Sequence, residues 1–276
     1  MVSDCSVGAV DVPRPYRVRA HNAATDSDNK IHDDEVARRH GFRGGLVPGV
    51  TVFAYMTRPV VETFGRAWLE RGTMSVRFVR PFYDGDVVTV TPARASADSF
   101  DLTATDEHGD LGATANASTS TSSAKAVELD RYIEAPLPTE RVPATPEGLA
   151  RLDVLGSLEF GFHADRAHGF LGQLDDDLEV YDREGLAHPG WLLRAANDIL
   201  AANVCLGPWI HAGSVVSNLG VVTDGDRIST RGRVVRRWER KGNHLVELDV
   251  LLVANGHRPV THVGHTAIYR LRDLTD

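Results

Sequence analysis

Between Asp26 and Gly49 the chain reads DSDNKIHDDEVARRHGFRGGLVPG, which brings two carboxylates (Asp26, Asp28), an amide (Asn29) and an imidazole (His32) close together. Imidazole is the side chain whose ordinary pKa lies nearest neutrality, so His32 can take up a proton at physiological pH. A carboxylate beside it can orient the ring or share the transfer. The same stretch also has a purely structural reading. Asp28 or Asn29 can cap a short helix whose first turn holds Asp33, Asp34 and Glu35, where acidic groups offset the helix dipole. A metal site fails on spacing: His32 and His40 stand eight positions apart, about 12 Å along a helix at ~1.5 Å per residue. His262 and His265, three apart in a strand-like run, point to opposite faces. No metal is expected.

The remaining composition narrows the chemistry. A chain of 276 residues suits two domains at roughly 100–200 residues each. The net charge of -8 argues against nucleic acid as a partner, because a phosphate-binding surface carries a basic excess. Cys5 and Cys205 are too few and too far apart for a disulfide framework or a thiolate metal site. The start, MVSDCSVGAVDVPRP, has no basic residues leading into an apolar run, and no segment approaches the apolar length of a membrane span. A cytoplasmic protein with no membrane partner is expected. No Gly-x-Ser-x-Gly, lysine-bearing phosphate loop or dinucleotide fingerprint occurs, so no cofactor is expected either.

The elements that must carry these residues come in two sets. Tyr16–Asn22, YRVRAHN, alternates like a strand and is matched by LEFGFHA at 158–164; both end near a histidine, His21 and His163. Gly45–Gly49, GLVPG, is matched by GLAHPG at 185–190, and YDGD at 83–86 by TDGD at 223–226. The intervals agree within one residue, so the chain reads as two copies of one unit. We take residues 1–117 and 151–276 as the copies and 118–150, with its Ser/Thr run and prolines, as the linker. Each copy reads strand, loop, helix, then several strands, and Gly49 and Gly190 are matched as helix starts. The helix after Gly190 is apolar nearly all round and is expected to be buried, which makes Asn197 and Asp198 within it candidates for function. Pro59 is expected to bend or restart the first helix. Asn255-Gly256 and Lys241-Gly242-Asn243 read as turns, the latter making the basic run Arg236–Lys241 a solvated hairpin end in preference to a phosphate contact.

One buried helix per antiparallel sheet, repeated, together with Asn29-Lys30-Ile31-His32, Asp33, Asp34, Ala37, Gly41-Phe42 and Gly49, resembles the hotdog superfamily. More narrowly it is similar to the MaoC-type (R)-specific enoyl-thioester hydratases and dehydratases, whose signature runs Gly-Asp-x-Asn-Pro-Ile-His into an acidic helix and a glycine turn. Ser27 stands at the family's aspartate, flanked by Asp26 and Asp28; Lys30 replaces the proline; Val47-Pro48-Gly49 stands where the family often has Ala-His-Gly. The resemblance implies an α+β fold of two tandem hotdog domains, each an antiparallel sheet wrapped around a central helix. It implies hydration or dehydration of an acyl thioester carried by coenzyme A or an acyl-carrier protein. His32 is then the base, Asp28 or Asp26 its carboxylate, Asn29 a positioning group for water, and Gly49 the place where backbone N–H groups approach an enolate oxygen. Asn197 and Asp198 are further substrate contacts. A thioesterase using Asp198 and a non-catalytic acyl-binding or partner subunit are the alternatives; the assembly state, a homodimer among the options, stays open.

Overall fold

The structure, a computed structural model, describes residues 12–119, 127–167 and 169–272; Cys5 and the proposed start of the first domain lie outside these. The first half contains β1 (Tyr16–Arg19), a first central helix (Gly49–Phe64), β2 (Gly72–Phe78), β3 (Val87–Ser96), β4 (Ser99–Thr105) and β5 (Leu111–Thr119). After a two-residue strand β6 (Val142–Pro143), the second half contains β7 (Val154–Gly161), a second central helix (Pro189–Asn203) and a short β8 (Val204–Cys205). It continues through β9 (Ile210–Asn218), β10 (Arg227–Arg240), β11 (Asn243–Ala254) and β12 (Arg258–Arg270).

The strands form one ten-stranded antiparallel sheet in the order β1-β3-β4-β5-β2-β9-β12-β11-β10-β7. Read outward from its middle, each half repeats the same order, so the two sheets meet edge to edge at β2 and β9, from Thr73↔Ser217 to Arg77↔Gly213. The matched sequence landmarks are matched contacts. Leu46 bridges Tyr83 as Leu186 bridges Thr223. Ala20 N–H donates to Asp86 O as Phe162 N–H donates to Asp226 O. In each half the Asp-Gly-Asp turn therefore ties the end of the first strand to the loop before the central helix.

Each central helix packs on the sheet of its own half and on the other helix. Phe53, Tyr55 and Met56 from the first and Leu193, Ala196 and Ile199 from the second are at most 1 % exposed and belong to one continuous core. Burial of this order stabilises by roughly 1.5–3 kcal/mol per large apolar side chain.

Three expectations require correction. Pro59 does not break the first helix, which runs unbroken from Gly49 to Phe64; the chain turns instead at Gly65, whose φ of 57° is open to glycine. Pro59 is itself buried, with Val60 and Val61 beside it in the core, so packing offsets the lost hydrogen bond. The second helix is not buried all round: Arg194 and Asp198 form an exposed i,i+4 pair at 3.8 Å. Gly49 does not match Gly190, because Pro48 and His188 are the N-cap residues, which pairs Gly49 with Pro189. Gly190 is needed for another reason. A Cβ there would lie 2.7 Å from the Ala54 Cβ and 3.2 Å from Val50 O, so it marks where the two helices approach most closely.

The described part of the linker lies against the second half. Tyr132 Oη donates to Asp249 Oδ1 (2.8 Å), and Val142 pairs with Val204 between β6 and β8. The basic run ends in a tight turn with Lys241 and Gly242 at φ 53° and 76°, and Arg237 donates to the Leu149 and Leu152 carbonyls. Among the described residues no helix is long and apolar enough to cross a membrane.

Candidate active site

A cavity of about 210 Å³ lies where the two halves meet. The His32 loop, the start of the first central helix and the end of β2 supply one side. Asn197 and the stretch Trp209–Ala212 of the second half supply the other. The lining is mostly apolar, with a few convergent polar groups, as small-molecule sites generally are.

The local sequence holds His32 from several directions. Asn29 Oδ1 accepts from Ile31 N–H to begin a single 3-10 turn, Lys30–His32. Asp33, and not Asp28 or Asn29, caps the following helix Asp34–Arg39 by accepting from Val36 N–H (2.9 Å). Asp34 Oδ1 accepts from Gly45 N–H (2.8 Å), folding the glycine-rich loop back. Gly45 is required at that contact, since a Cβ would fall 2.1 Å from His32 O. Asn22 Nδ2 donates to that same His32 carbonyl (2.8 Å).

These contacts determine the proton position on the ring. His32 Nδ1 lies 2.7 Å from Leu46 O, which can only accept, so Nδ1 carries the hydrogen. Nε2 lies 3.3 Å from Asn29 Nδ2, which can only donate, so Nε2 presents its lone pair. Burial lowers the His32 pKa below its ordinary value, opposed by the Leu46 carbonyl, and the neutral form is favoured at physiological pH. The orientation of the Asn29 amide is itself settled by the backbone. Trp209 N–H donates to Oδ1 (3.1 Å) and Nδ2 donates to Trp209 O (3.0 Å). Asn29 thus joins the His32 loop to the second half.

Of the expected site residues, His32, Asn29, Gly49 and Asn197 line this one cavity. Asp26 and Asp28 do not; both are exposed, and the contacts of the His32 ring are an amide and a backbone carbonyl. The expected carboxylate beside His32 is therefore replaced by Asn29, whose bonds to Trp209 fix the register of the loop and turn its neighbours to solvent. Asp198 does not line the cavity; its carboxylate is half-exposed beside Arg194, yet burial of its surroundings still raises its pKa, while Asn197 beside it leaves Oδ1 buried and unpaired. At the first central helix, no side chain caps the leading amides, and Thr51 and Val52 N–H both return to Pro48 O. Among the described residues no group of three or more His, Cys, Asp or Glu side chains is placed to hold a metal.

Apart from Asn197, the reading of the sequence missed the groups that the second half contributes. His211 lines the cavity, 6 % exposed, with Nε2 at 2.8 Å from Ser214 Oγ, which in turn lies 3.2 Å from His265 Nδ1. His265 is fully buried, and its ring lies tilted against that of His211, with centroids 4.4 Å apart and planes at 41°. His211 and Ser214 lie on β9 and His265 on the neighbouring β12, so only strand pairing brings them together.

No family model matches the chain, and no curated protein matches it by sequence. Solved structures do match. A MaoC domain protein from Chloroflexus aurantiacus J-10-fl, named provisionally as a dehydratase, superposes with a TM-score of 0.64 at 12% identity, over 92% of this chain and 93% of that one. A Mycobacterium tuberculosis protein described as having a double hotdog fold gives 0.60 at 14% identity, over 93% and 96%. A MaoC-like dehydratase gives 0.58 at 15% identity, over 95% and 98%. Near-complete coverage of both chains, with the strand order repeated in each half, means that this protein has the double hotdog fold.

Proposed function

We propose that the protein is a hydratase or dehydratase of acyl thioesters, with His32 as its base. The observation that carries this reading is His32 Nε2, an unprotonated nitrogen whose partner nitrogen is pinned to Leu46 O, in a cavity that also contains the uncapped start of the first central helix.

In hydration, His32 Nε2 takes a proton from water as the water oxygen bonds to the β carbon. The π electrons move toward the thioester carbonyl, and the enolate oxygen is held by the Gly49 and Val50 N–H groups at the positive end of the helix. The imidazolium then returns its proton to the α carbon, giving a 3-hydroxyacyl thioester. Dehydration is the reverse. Asn29 keeps the ring in the basic tautomer, and the water takes the place of its amide at that nitrogen, where the contact is long at 3.3 Å. Asn197 offers its unpaired amide oxygen to a substrate hydroxyl. The carrier, coenzyme A or an acyl-carrier protein, stays outside, since about 210 Å³ is below the range of roughly 300–1,000 Å³ typical of sites that enclose larger ligands.

The thioesterase alternative would rest on Asp198, whose carboxyl is held above its ordinary pKa by burial but which does not line the cavity. The test follows loss of the conjugated enoyl absorbance and free thiol in parallel. Hydration without thiol release, reduced about a hundredfold or more by His32→Ala, is the expected result. Thiol release independent of His32 would point to a thioesterase. Ligand retention without turnover would leave a binding protein.

A further inference from the structure

Outside the His32 loop, the second half places a buried polar chain, His211–Ser214–His265, against the same cavity. It ends in two nitrogens without protein partners: His211 Nδ1 at the cavity end and His265 Nε2 at the deep end. His211 Nδ1 occupies the space a side chain at position 49 would fill, since a Cβ on Gly49 would lie 2.9 Å from it. The Phe78 ring meets the His211 ring edge-on, with centroids 4.9 Å apart. The imidazole therefore borders the first turn of the central helix.

Hydrogen-bond accounting orients the chain. The Ser214 hydroxyl has one proton to give and can also accept. If it donates to His265, then His265 Nε2 must carry a hydrogen with no acceptor around it. If it donates to His211 Nε2, then His265 Nδ1–H donates to Ser214, His265 Nε2 keeps a bare lone pair, and His211 carries its hydrogen on Nδ1. Each arrangement leaves one N–H without a protein acceptor; in the first it is sealed on His265 Nε2, whereas in the second it sits on His211 Nδ1 beside the cavity, where a ligand oxygen can accept it, so a bound ligand selects the second. Burial, and then the neighbouring His265 ring, hold the His211 imidazole well below its ordinary pKa against a smaller upward pull from the Gly213 carbonyl. The ring is accordingly a neutral donor.

The geometry points to His211 as a further catalytic residue: its Nδ1–H donates to the thioester carbonyl oxygen beside the Gly49 amide, with Ser214 and His265 as positioning residues that set the tautomer. This rests on reading the cavity as an acyl-thioester site. Its consequence is that the electrophilic half of the site is assembled across the β2–β9 junction, with the base from one half and a side-chain donor from the other.

The test is steady-state hydration of a short enoyl-coenzyme A by the full-length protein and folded variants. His211→Phe keeps a ring against Phe78 and His265 but removes the donor; kcat should fall about a hundredfold, in the range for loss of one such donor, with KM changed less than about threefold. His211→Asn puts an amide N–H near the place of Nδ1 and should recover at least tenfold. Ser214→Ala should lower kcat with KM retained, and Ser214→Thr, which keeps the hydroxyl, should restore it. A kcat within about threefold of the parent in folded His211→Phe, a loss confined to KM, or no rescue by Asn would overturn the proposal. Binding of butyryl-coenzyme A against S-butyl-coenzyme A, which lacks the carbonyl, separates this outcome from failure of the hydratase reading. If the parent turns over no enoyl thioester, a preference for the carbonyl compound erased by His211→Phe still supports the donor. No preference, or one that survives the substitution, overturns it.

Discussion

Three imidazoles are held neutral by the fold, and this should make the protein lose stability in mild acid. Burial lowers the pKa of His32, of His211 (with a further push from His265) and of His265, which falls to about 3. In each case the folded value lies below that of the unfolded chain, so below about pH 6.5 the unfolded state binds more protons. Stability from these groups is therefore present in full above that value and lost as pH falls. A histidine that stays neutral down to pH 5 loses about 1.5 pH units at ~1.4 kcal/mol each, or about 2 kcal/mol relative to pH 7.5. His265 alone should then account for about 2 kcal/mol, and His211 should add to it in the same direction. Asp249, bound by His262, Tyr132 and Arg233 against the effect of burial, is held at about 2, and Asp226 also lies below its usual value; Asp198, raised by burial, is common to parent and variant and cancels in the comparison. Urea unfolding at pH 7.5 and 5.0 should show the parent losing about 2 kcal/mol more than His265→Phe over that interval. The variant fills the space of a fully buried ring, and only the difference in slope is read, so its own baseline does not matter. Equal losses in the two proteins, or a larger loss in the variant, would refute the assignment of buried neutral histidines.

Asn29→Ala strips the partners from Trp209 N–H and Trp209 O, so it should cost ~2 kcal/mol or more and lower the melting temperature by roughly 5 °C or more; an unchanged melt would show that the loop is not held there. Asp28→Asn should leave turnover within about twofold by kinetic assay, because the exposed carboxylate does not touch the His32 ring; a loss as large as that of His32→Ala would restore the carboxylate pairing. Leu193→Asp introduces a charge where no surface is exposed and should cost over ~4 kcal/mol; a melt within a degree or two of the parent would contradict that burial.

Features that depend on backbone periodicity and turn chemistry were legible in the sequence, and those that depend on which face a side chain takes were not. The two copies could be read because Asp-Gly-Asp turns and the loops before each helix are in mutual contact, Leu46 with Tyr83 and Leu186 with Thr223, and contacts of that kind constrain spacing. His32 was legible as a candidate base because its local motif builds its own 3-10 turn. Its partner was not. Choosing between Asn29, Asp28 and Asp26 required knowing that Trp209, 180 positions away, presents a backbone amide and carbonyl to an Asn side chain. Asn197 and Asp198 are adjacent on one helix, yet one faces the cavity and the other solvent, a distinction set by the rotation of the helix against two sheets. His211 and His265 carry no motif at all; their relation exists only in the register of β9 against β12.

The two copies differ at the start of their central helices, and this explains why the cavity lies where it does. In the second copy His188 Nδ1 accepts from Gly190 N–H, so the helix caps itself. With that nitrogen accepting, the ring hydrogen sits on Nε2, 3.3 Å from Asp176 Oδ2. Both side chains are 2 % exposed, and the Phe170 and Tyr181 rings lie against the imidazole. The positive end of that helix is occupied by the protein's own groups. In the first copy the equivalent position is Pro48, which has no side chain able to accept, and Gly49 follows with no Cβ to fill the space. The amides there remain available, and His211 from the other copy moves into the vacated volume. A single difference at the N-cap, histidine in one copy and proline in the other, thus leaves one helix end sealed and the other open to a ligand oxygen. On the proposed reading, the base and the open helix end come from the first half, and the second half supplies the facing wall with His211.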